Sequence, residues 1–565
     1  EGNAGDVVIN AADRVLFDGT NADGGLFSSA FSSVGQRGVG RGGNITIDTN
    51  SLEVRNGAQL STGTFGEGNA GDVVINAADR VVFTGTSKAF STVGAINFRG
   101  VAVGNGGDIR IRTDSLEVVR DAQLQASTFA RGNAGDVIIH ANNRVLFDGT
   151  NSTAFSRLEE GAIGRGGRIV INTNSLIVRN GAELTASTFG RGNAGNIRIA
   201  ARDVSLDGTG NDGFSSGLFT STTGPTGRGG EITVRADSIR LTDGAVVNAQ
   251  TFNDFRGGNI TLSADTFDAT NGGQIITTTT DSGRAGNITL NVTDRVTLSG
   301  ADRQRTSGLF ANTAEGSSGR GGTIRIRTGE LNISDRAEIV ASSQGSGIAG
   351  NIDVTAQSIE LDRGRLTAET NTVEGGNIAI ATDSLSLTNN AQISVNSVAE
   401  DEGGAGNIEV QARNIELDEA SEITAETASG QGGNITLSNL ELLRLRNGSR
   451  ISTTAGTQQA GGDGGNISID ADFIVAIPSE NSDIRADAFE GRGGNIDITT
   501  EGLFGIEARD RPTNFSDITA SSELGVQGTI NINTPDVDPS RGLTELPEDV
   551  VDASNQIAQT CPTDG

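Results

Sequence analysis

Few residues of this chain have side chains suited to chemistry, and they are scattered. The 565 residues include one His (His140), one Cys (Cys561) and no Trp, Tyr or Met. His140 stands in Ile138-Ile139-His140-Ala141, at the place Asn10 and Asn76 hold in sister segments, so it reads as an outward strand residue. A metal centre needs several ligands converging, and a general base needs a hydrogen-bonded partner; a lone His offers neither. The 71 acidic residues are spread along the whole length, and adjacent acids such as Asp401/Glu402 fall in turns. Gly461-Gly462-Asp463-Gly464-Gly465-Asn466 is similar to Gly-Asp calcium repeats, but the nonapeptide period those need is absent. Thr-Phe pairs place Phe65, Phe129, Phe189 and Phe252 at corresponding points. They could form a ligand-stacking stripe, but an aromatic stack in the core or under a corner is the favoured reading. Arg41, Arg165, Arg228, Arg256 and Arg320 precede Gly-Gly pairs and are expected to pair with neighbouring carboxylates. No catalytic, cofactor-binding or metal-ligating residue is assigned, and no cofactor is expected.

What carries information is repetition. Two small residues, usually Gly-Gly or Ala-Gly, are followed by a polar residue and then apolar-x-apolar, as in Gly42-Gly43-Asn44-Ile45-Thr46-Ile47. The polar position recurs 18 times from Asp6 to Thr529, spaced by 26 to 38 residues, and is Asn in ten copies and Asp in four. A second apolar pair starts about eight residues later, as in Leu52/Val54 and Ile359/Leu361, and a third apolar position lies sixteen residues on, as in Leu60, Leu184 and Ile393. Alternation within each segment puts one face inward and one outward. The expected fold is all-β: a parallel β-helix (solenoid) of about 18 coils with three short strands per coil. Ile45, Ile47, Leu52, Val54 and Leu60 should point inward. The glycines are expected to supply positive φ at sharp corners, and the Asn residues to stack as a ladder at about 4.8 Å. Two coil types alternate in the first half, and loops such as 24–40 and 213–228 are expected to project from the longer type.

Composition agrees. Gly is 81 of 565 residues and hydrophobic residues are 35%, many β-branched and in short alternating stretches. No run of 18 apolar residues is present, so no helical membrane span is expected. A formal charge of −29 repels phosphate backbones and argues against nucleic-acid binding, although it could hold divalent cations loosely. One thiol gives no internal disulfide framework. The shaft is expected over 1–534. Residues 535–565 hold four of the seven Pro residues and are expected as a non-coil tail, with a short helical piece around Asp549 to Gln559. The chain starts in mid-repeat, which suggests a fragment with any targeting signal upstream.

The phrases Gly-Gly-Asn-Ile-Thr-Ile (42–47) and Gly-Ala-Gln-Leu-Ser-Thr (57–62), with the tail Leu546-Pro547-Glu548-Asp549-Val550-Val551-Asp552-Ala553-Ser554 and Cys561, resemble filamentous-haemagglutinin-like large exoproteins of the two-partner secretion type. The likeness is greatest to their cyanobacterial members. It implies a right-handed, single-stranded β-helix, export through an outer-membrane transporter barrel, a secreted or cell-surface location, and roles in adhesion or cell contact with a host, cell or abiotic surface. The Asn-Pro motifs usual in the family's secretion domain do not occur here. The function expected is a non-catalytic structural or adhesive shaft. Two alternatives stand beside it: a β-helix polysaccharide lyase or hydrolase, and the stalk of a contact-dependent toxin. Catalysis on sugars usually adds clustered acids and bases with Trp or Tyr platforms, which are lacking.

Overall fold

A computed structural model describes residues 1–19, 28–94, 102–371, 374–399 and 403–534. It is an all-β parallel solenoid of about 16 turns, slightly fewer than the 18 repeat copies suggest. The final copy, Thr529–Asn533, contributes its first strand alone. At about 4.8 Å per turn the stack is roughly 77 Å long. The helical content is one 3-10 turn, Pro478–Glu480, among the described residues.

Each turn places its three strands as the periodicity predicts. First strands pair in parallel with first strands, in unbroken register: Ile45, Val73 and Ile109 stack on one another, as do Ile47, Ile75 and Ile111. In several coils the first and second strands run together as one bent element, as in Ile45–Arg55 and Val73–Thr84, with a register shift at the bend. First and second strands therefore share one 26-stranded sheet, and the third strands form a separate stack. Ile45, Ile47, Leu52, Val54 and Leu60 are all buried, in one core cluster that runs from Val15 to Ala520. The return path stacks too: single bridges link Thr64, Val93, Thr128, Leu158 and Thr188 in successive coils.

The second small residue of the repeat is Gly in all 18 copies, and the reason differs from the corner geometry expected. Gly43 and Gly71 do not have positive φ. A Cβ on Gly43 would lie 2.2 Å from the Gly5 carbonyl oxygen, and one on Gly71 would lie 2.1 Å from that of Gly43. The backbones of successive coils touch along this column, which leaves room for no side chain. Left-handed backbone is needed at the corner between second and third strands, where Asn56 (φ 55) and Gly57 (φ 84) follow one another.

The polar residue after this Gly forms the expected ladder, but through the backbone. The Asp6 side chain accepts the Asn44 N–H (2.8 Å), Asn44 accepts from Asp72 (2.8 Å), and Asn351 accepts from Asn377 (3.0 Å). Only one acceptor oxygen is used, so Asn and Asp serve alike.

Loops also depart from expectation. Strand Gly217–Phe219, with Leu218 buried, divides the segment 213–228; of 24–40, residues 24–27 lie outside the described residues and Ser29–Phe31 is a strand. The insertions instead flank the third strand on both sides. One before it is a small hairpin closed by the Thr209–Ser215 bridge, with Phe214 65% exposed beside that bridge. A second hairpin, closed by Ala301–Thr306, sends Arg305 back to the Ser215 hydroxyl and the Gly244 carbonyl. The tail 535–565, its Cys561 and helical piece, and Asp401/Glu402 lie outside the described residues.

Candidate functional site on the third-strand face

Each third strand has three residues, and its middle one points into the core, as Ala30, Leu60, Ala89 and Leu124 do. The two flanking residues therefore face outward. Register alone then builds two outward columns along the rod. One runs Phe31, Ser61, Phe90, Gln125. It continues through Phe155, Thr185, Phe219 and Asn248, then Ile276 and Phe310. From Phe31 to Phe219 a Phe recurs at every second coil, about 9.6 Å apart, with a Ser, Gln or Thr between.

The Thr-Phe pairs lie beside this column in the intervening coils. Their threonines belong to the stacked return path, Thr64 to Val93 to Thr128. Their rings are covered only in part, where the favoured reading of a stack in the core or under a corner expects cover throughout. Phe189 and Phe252 are 38% and 41% exposed, although Phe129 is nearly covered. The two Phe columns meet at Arg157. Its guanidinium lies 3.9 Å from the Phe155 ring centre and 5.4 Å from that of Phe189, a stacking geometry that favours a planar cation over an aromatic face. Arg157 is also ion-paired with Glu159 at 2.6 Å.

The face changes character near Val340. Up to Phe310 its two outward columns carry only Lys88 and Glu183 as charges. Beyond it, Glu338, Arg365, Glu422, Arg450, Asp483 and Asp517 follow down one column. Burial pushes the carboxyl of Glu338 up from its ordinary range, against the pull of Arg365. Burial likewise raises Asp483, against a hydrogen bond from the Asp517 N–H and the charge of Arg485. The neighbouring carboxylates are occupied. Asp487 accepts from Thr519, from Ser521 and from Arg485 (3.0 Å), and Asp517 accepts from Thr513 and is ion-paired with Arg509. These contacts tie a loop and adjacent coils together.

The other residues singled out from sequence fall in structural places. His140 is exposed in the outward column Asn76, Arg112, His140, Asn172, and its Nδ1 is 3.0 Å from the Asn172 amide. Asp463 accepts the Arg492 N–H at 2.8 Å, as a rung between coils. Ion pairs among the described residues form along strand columns and corners, such as Arg55 with Asp18 (2.7 Å) and Arg446 with Glu480 (2.7 Å). They do not fall at the arginines before Gly-Gly, of which Arg256 bonds Asn259 instead. No group of three or more His, Cys, Asp or Glu side chains among the described residues could hold a metal ion. No described helix is long and apolar enough to cross a membrane.

The Phe column could have been found from register, because Phe31, Phe90 and Phe155 each follow an inward Ala; of these rings Phe31 is exposed, Phe90 half-buried and Phe155 buried. No family model, no curated protein and no solved structure matches the chain.

Proposed function

We propose that this chain is the shaft of a secreted, cell-surface exoprotein of the filamentous-haemagglutinin-like kind, working by length and by repeated surface contacts and without catalysis. The observation that carries this reading is the unbroken stack: one core cluster from Val15 to Ala520, with outward side chains repeated coil by coil. Stability of such an array is a sum of coil and neighbour terms, and repeated weak contacts add into firm attachment. The phrases at 42–47 and 57–62 support an export route through an outer-membrane barrel of the two-partner type. Carboxylates on the third-strand face are engaged in bonds between coils, which favours a structural reading over a polysaccharide-cleaving one.

The test is fractionation of the producing cells together with surface labelling by an antibody to coils 351–534. The reading expects label on intact cells or protein in the medium, and loss of both when the partner barrel is deleted. Chain confined to the cytoplasm would sink it, as would cleavage of a neutral or acidic polysaccharide by the purified chain.

A further inference from the structure

One edge of the rod carries a row of arginines that the fold itself does not use. Three residues before the polar ladder position, the Ala194 N–H donates to the Arg228 carbonyl, Gly229 to Arg256, Gly257 to Arg284 and Ala285 to Arg320. These four arginines therefore stack in consecutive coils, about 4.8 Å apart. In the three coils before them an arginine stands at this position or two residues earlier, on the same side of extended backbone. Arg165 joins the row through Asn193, and Arg131 and Arg191 are bridged through Ile163. Each of seven successive coils thus presents one arginine on this edge, and all seven are exposed. Among the described residues none of the seven is ion-paired, and Arg256 reaches only the Asn259 amide oxygen.

The fold would be better served by Asn here. In sister coils Asn69 accepts the Asn105 N–H (2.9 Å), Asn105 that of Asn133 (2.9 Å) and Asn193 that of Arg228 (3.0 Å). They form a second ladder beside the first. An arginine side chain has no acceptor, so from Arg228 to Arg320 these rungs are given up. Like charges stack instead, at a spacing where they repel. The nearby Asp254 and Asp281 are bonded to Ser282. Further along, the position passes to Ile348, Glu374 and Asp463, so the basic row has an end.

We propose that this row binds a linear acidic polysaccharide with one carboxylate per sugar, a polyuronate, laid along the rod axis. Guanidinium and carboxylate match as a two-pronged hydrogen-bonded pair. A sugar in an extended chain advances by close to one coil step, so the charges meet one for one. Where successive sugars face opposite ways, every second carboxylate still meets an arginine. A single row of cations fits a line of charge better than the plane of a membrane. Duplex nucleic acid carries one charge per ~1.7 Å of its axis, far denser than the row, and its bulk would meet the acidic remainder of a chain of net charge −29. At physiological salt, charges more than about 8 Å away are largely screened, so a slender polymer on this edge feels the arginines before the acids of other faces. The proposal rests on the shaft reading only in giving that shaft a ligand.

The experiment is biolayer interferometry of the purified chain on immobilised polygalacturonate and alginate, with hyaluronan, dextran, duplex DNA and anionic lipid vesicles as comparisons. The expected result is binding to both polyuronates at low salt, lost at 0.5 M salt. It should be several-fold weaker on hyaluronan, whose carboxylates stand on alternate sugars, and absent on dextran. Oligogalacturonates should compete more strongly as they lengthen, up to about seven sugars, the span of the row. The pair Arg256→Asn and Arg284→Asn should weaken binding at least tenfold without lowering the melting temperature, because Asn can restore the rungs. Arg256→Lys with Arg284→Lys should lose several-fold, keeping charge but not the planar fork, and carries the test if the Asn pair does not fold. Arg363→Asn with Arg413→Asn removes the same charge at exposed, ion-paired arginines beyond the row and should leave binding unchanged. Folded chain that binds neither polyuronate overturns the proposal, as does binding matched by dextran or indifferent to the Arg256 and Arg284 substitutions. Tighter binding to DNA or vesicles through the same arginines would assign the row to another partner and also overturn it. None of these failures bears on whether the chain is a cell-surface shaft, which the fractionation test decides separately.

Discussion

Phe83 and Ala89 lie in the same coil, fully buried on different walls of its interior, the large ring on the second strand and the small methyl on the third. The pairing recurs as Phe147 with Ala154 and Phe17 with Ala30. The coils stacked against Phe83 and Ala89 divide the same space differently: Val54 and Val118 sit next to Phe83, and Leu60 and Leu124 next to Ala89. Interior volume is shared between the two walls. Ala89→Leu alone should overpack the coil and destabilise it by about 1–3 kcal/mol, and Phe83→Val alone should leave a cavity at a loss of about 2–4 kcal/mol. The double variant should recover much of both. Thermal melting of the four proteins measures the coupling.

The Gly column predicts an asymmetric glycine scan. Gly71→Ala puts a methyl 2.1 Å from the Gly43 carbonyl oxygen and should destabilise by about 3 kcal/mol or more, by forcing two backbones apart. Gly35→Ala meets nothing within 4 Å and should stay within about 0.5 kcal/mol of the parent. Equal effects in hydrogen-exchange or melting experiments would count against backbone contact as the reason for the column.

Coils should behave as modules. Deleting residues 351–376 joins equivalent points of two coils and should shorten the rod by one step of about 4.8 Å with the fold kept, as small-angle scattering can measure. Ile378→Asp should do more harm than the deletion. Ile378 is buried and stacks on Ile352 and Ile408, so the substitution places an unpaired carboxylate between apolar layers at a cost of several kcal/mol.

Two carboxylates should respond to pH with opposite sign. Glu338 has its folded pKa raised by burial. Below its unfolded value near 4.3 both states are protonated and the burial penalty is absent; it grows as pH rises through the folded pKa. Glu338→Gln should therefore raise the melting temperature at pH 7 and leave it unchanged at pH 3.5. Glu480 has its pKa lowered by the hydrogen bond from Arg446 and then by the Asn447 N–H. Its contribution is present above the unfolded pKa and fades as pH falls through the folded one. Glu480→Gln should lower the melting temperature at pH 7, with the deficit shrinking towards pH 3. Matching signs for the two variants would refute this assignment.

The spacing of apolar pairs places Ile45, Ile47, Leu52, Val54 and Leu60 correctly, because inward and outward residues alternate and insertions fall between strands. Third strands in longer coils are harder to read. In Ala30-Phe31, Ala89-Phe90 and Ala154-Phe155 the larger apolar residue is the outward one, so hydrophobicity alone shifts the register by one and hides the Phe column. A Thr-Phe pair reads as a ring in the core or under a corner because hydrophobicity does not separate the covered Phe129 from the exposed Phe189 and Phe252. The role of the Gly column was hidden because it depends on a carbonyl roughly 30 residues away, in the previous coil, and not on local φ. Hydrogen-bonded acids such as Asp487 look in sequence like any other acid of a charged chain.

The ladder at the polar position has a consequence for how such a rod can change. Each rung needs only one oxygen, so exchanging Asn for Asp alters charge and leaves geometry alone. The limit appears where Asp72, Asp108 and Asp136 stack directly. There Arg110 reaches both Asp72 and Asp108, and Arg168 grips Asp136 at 2.6 Å. Consecutive negative rungs about 4.8 Å apart repel, and in this stretch each is matched by a cation from a neighbouring strand position. The isoelectric point of the solenoid is thus adjustable apart from its shape, one coil at a time, so long as a run of acids recruits its own arginine.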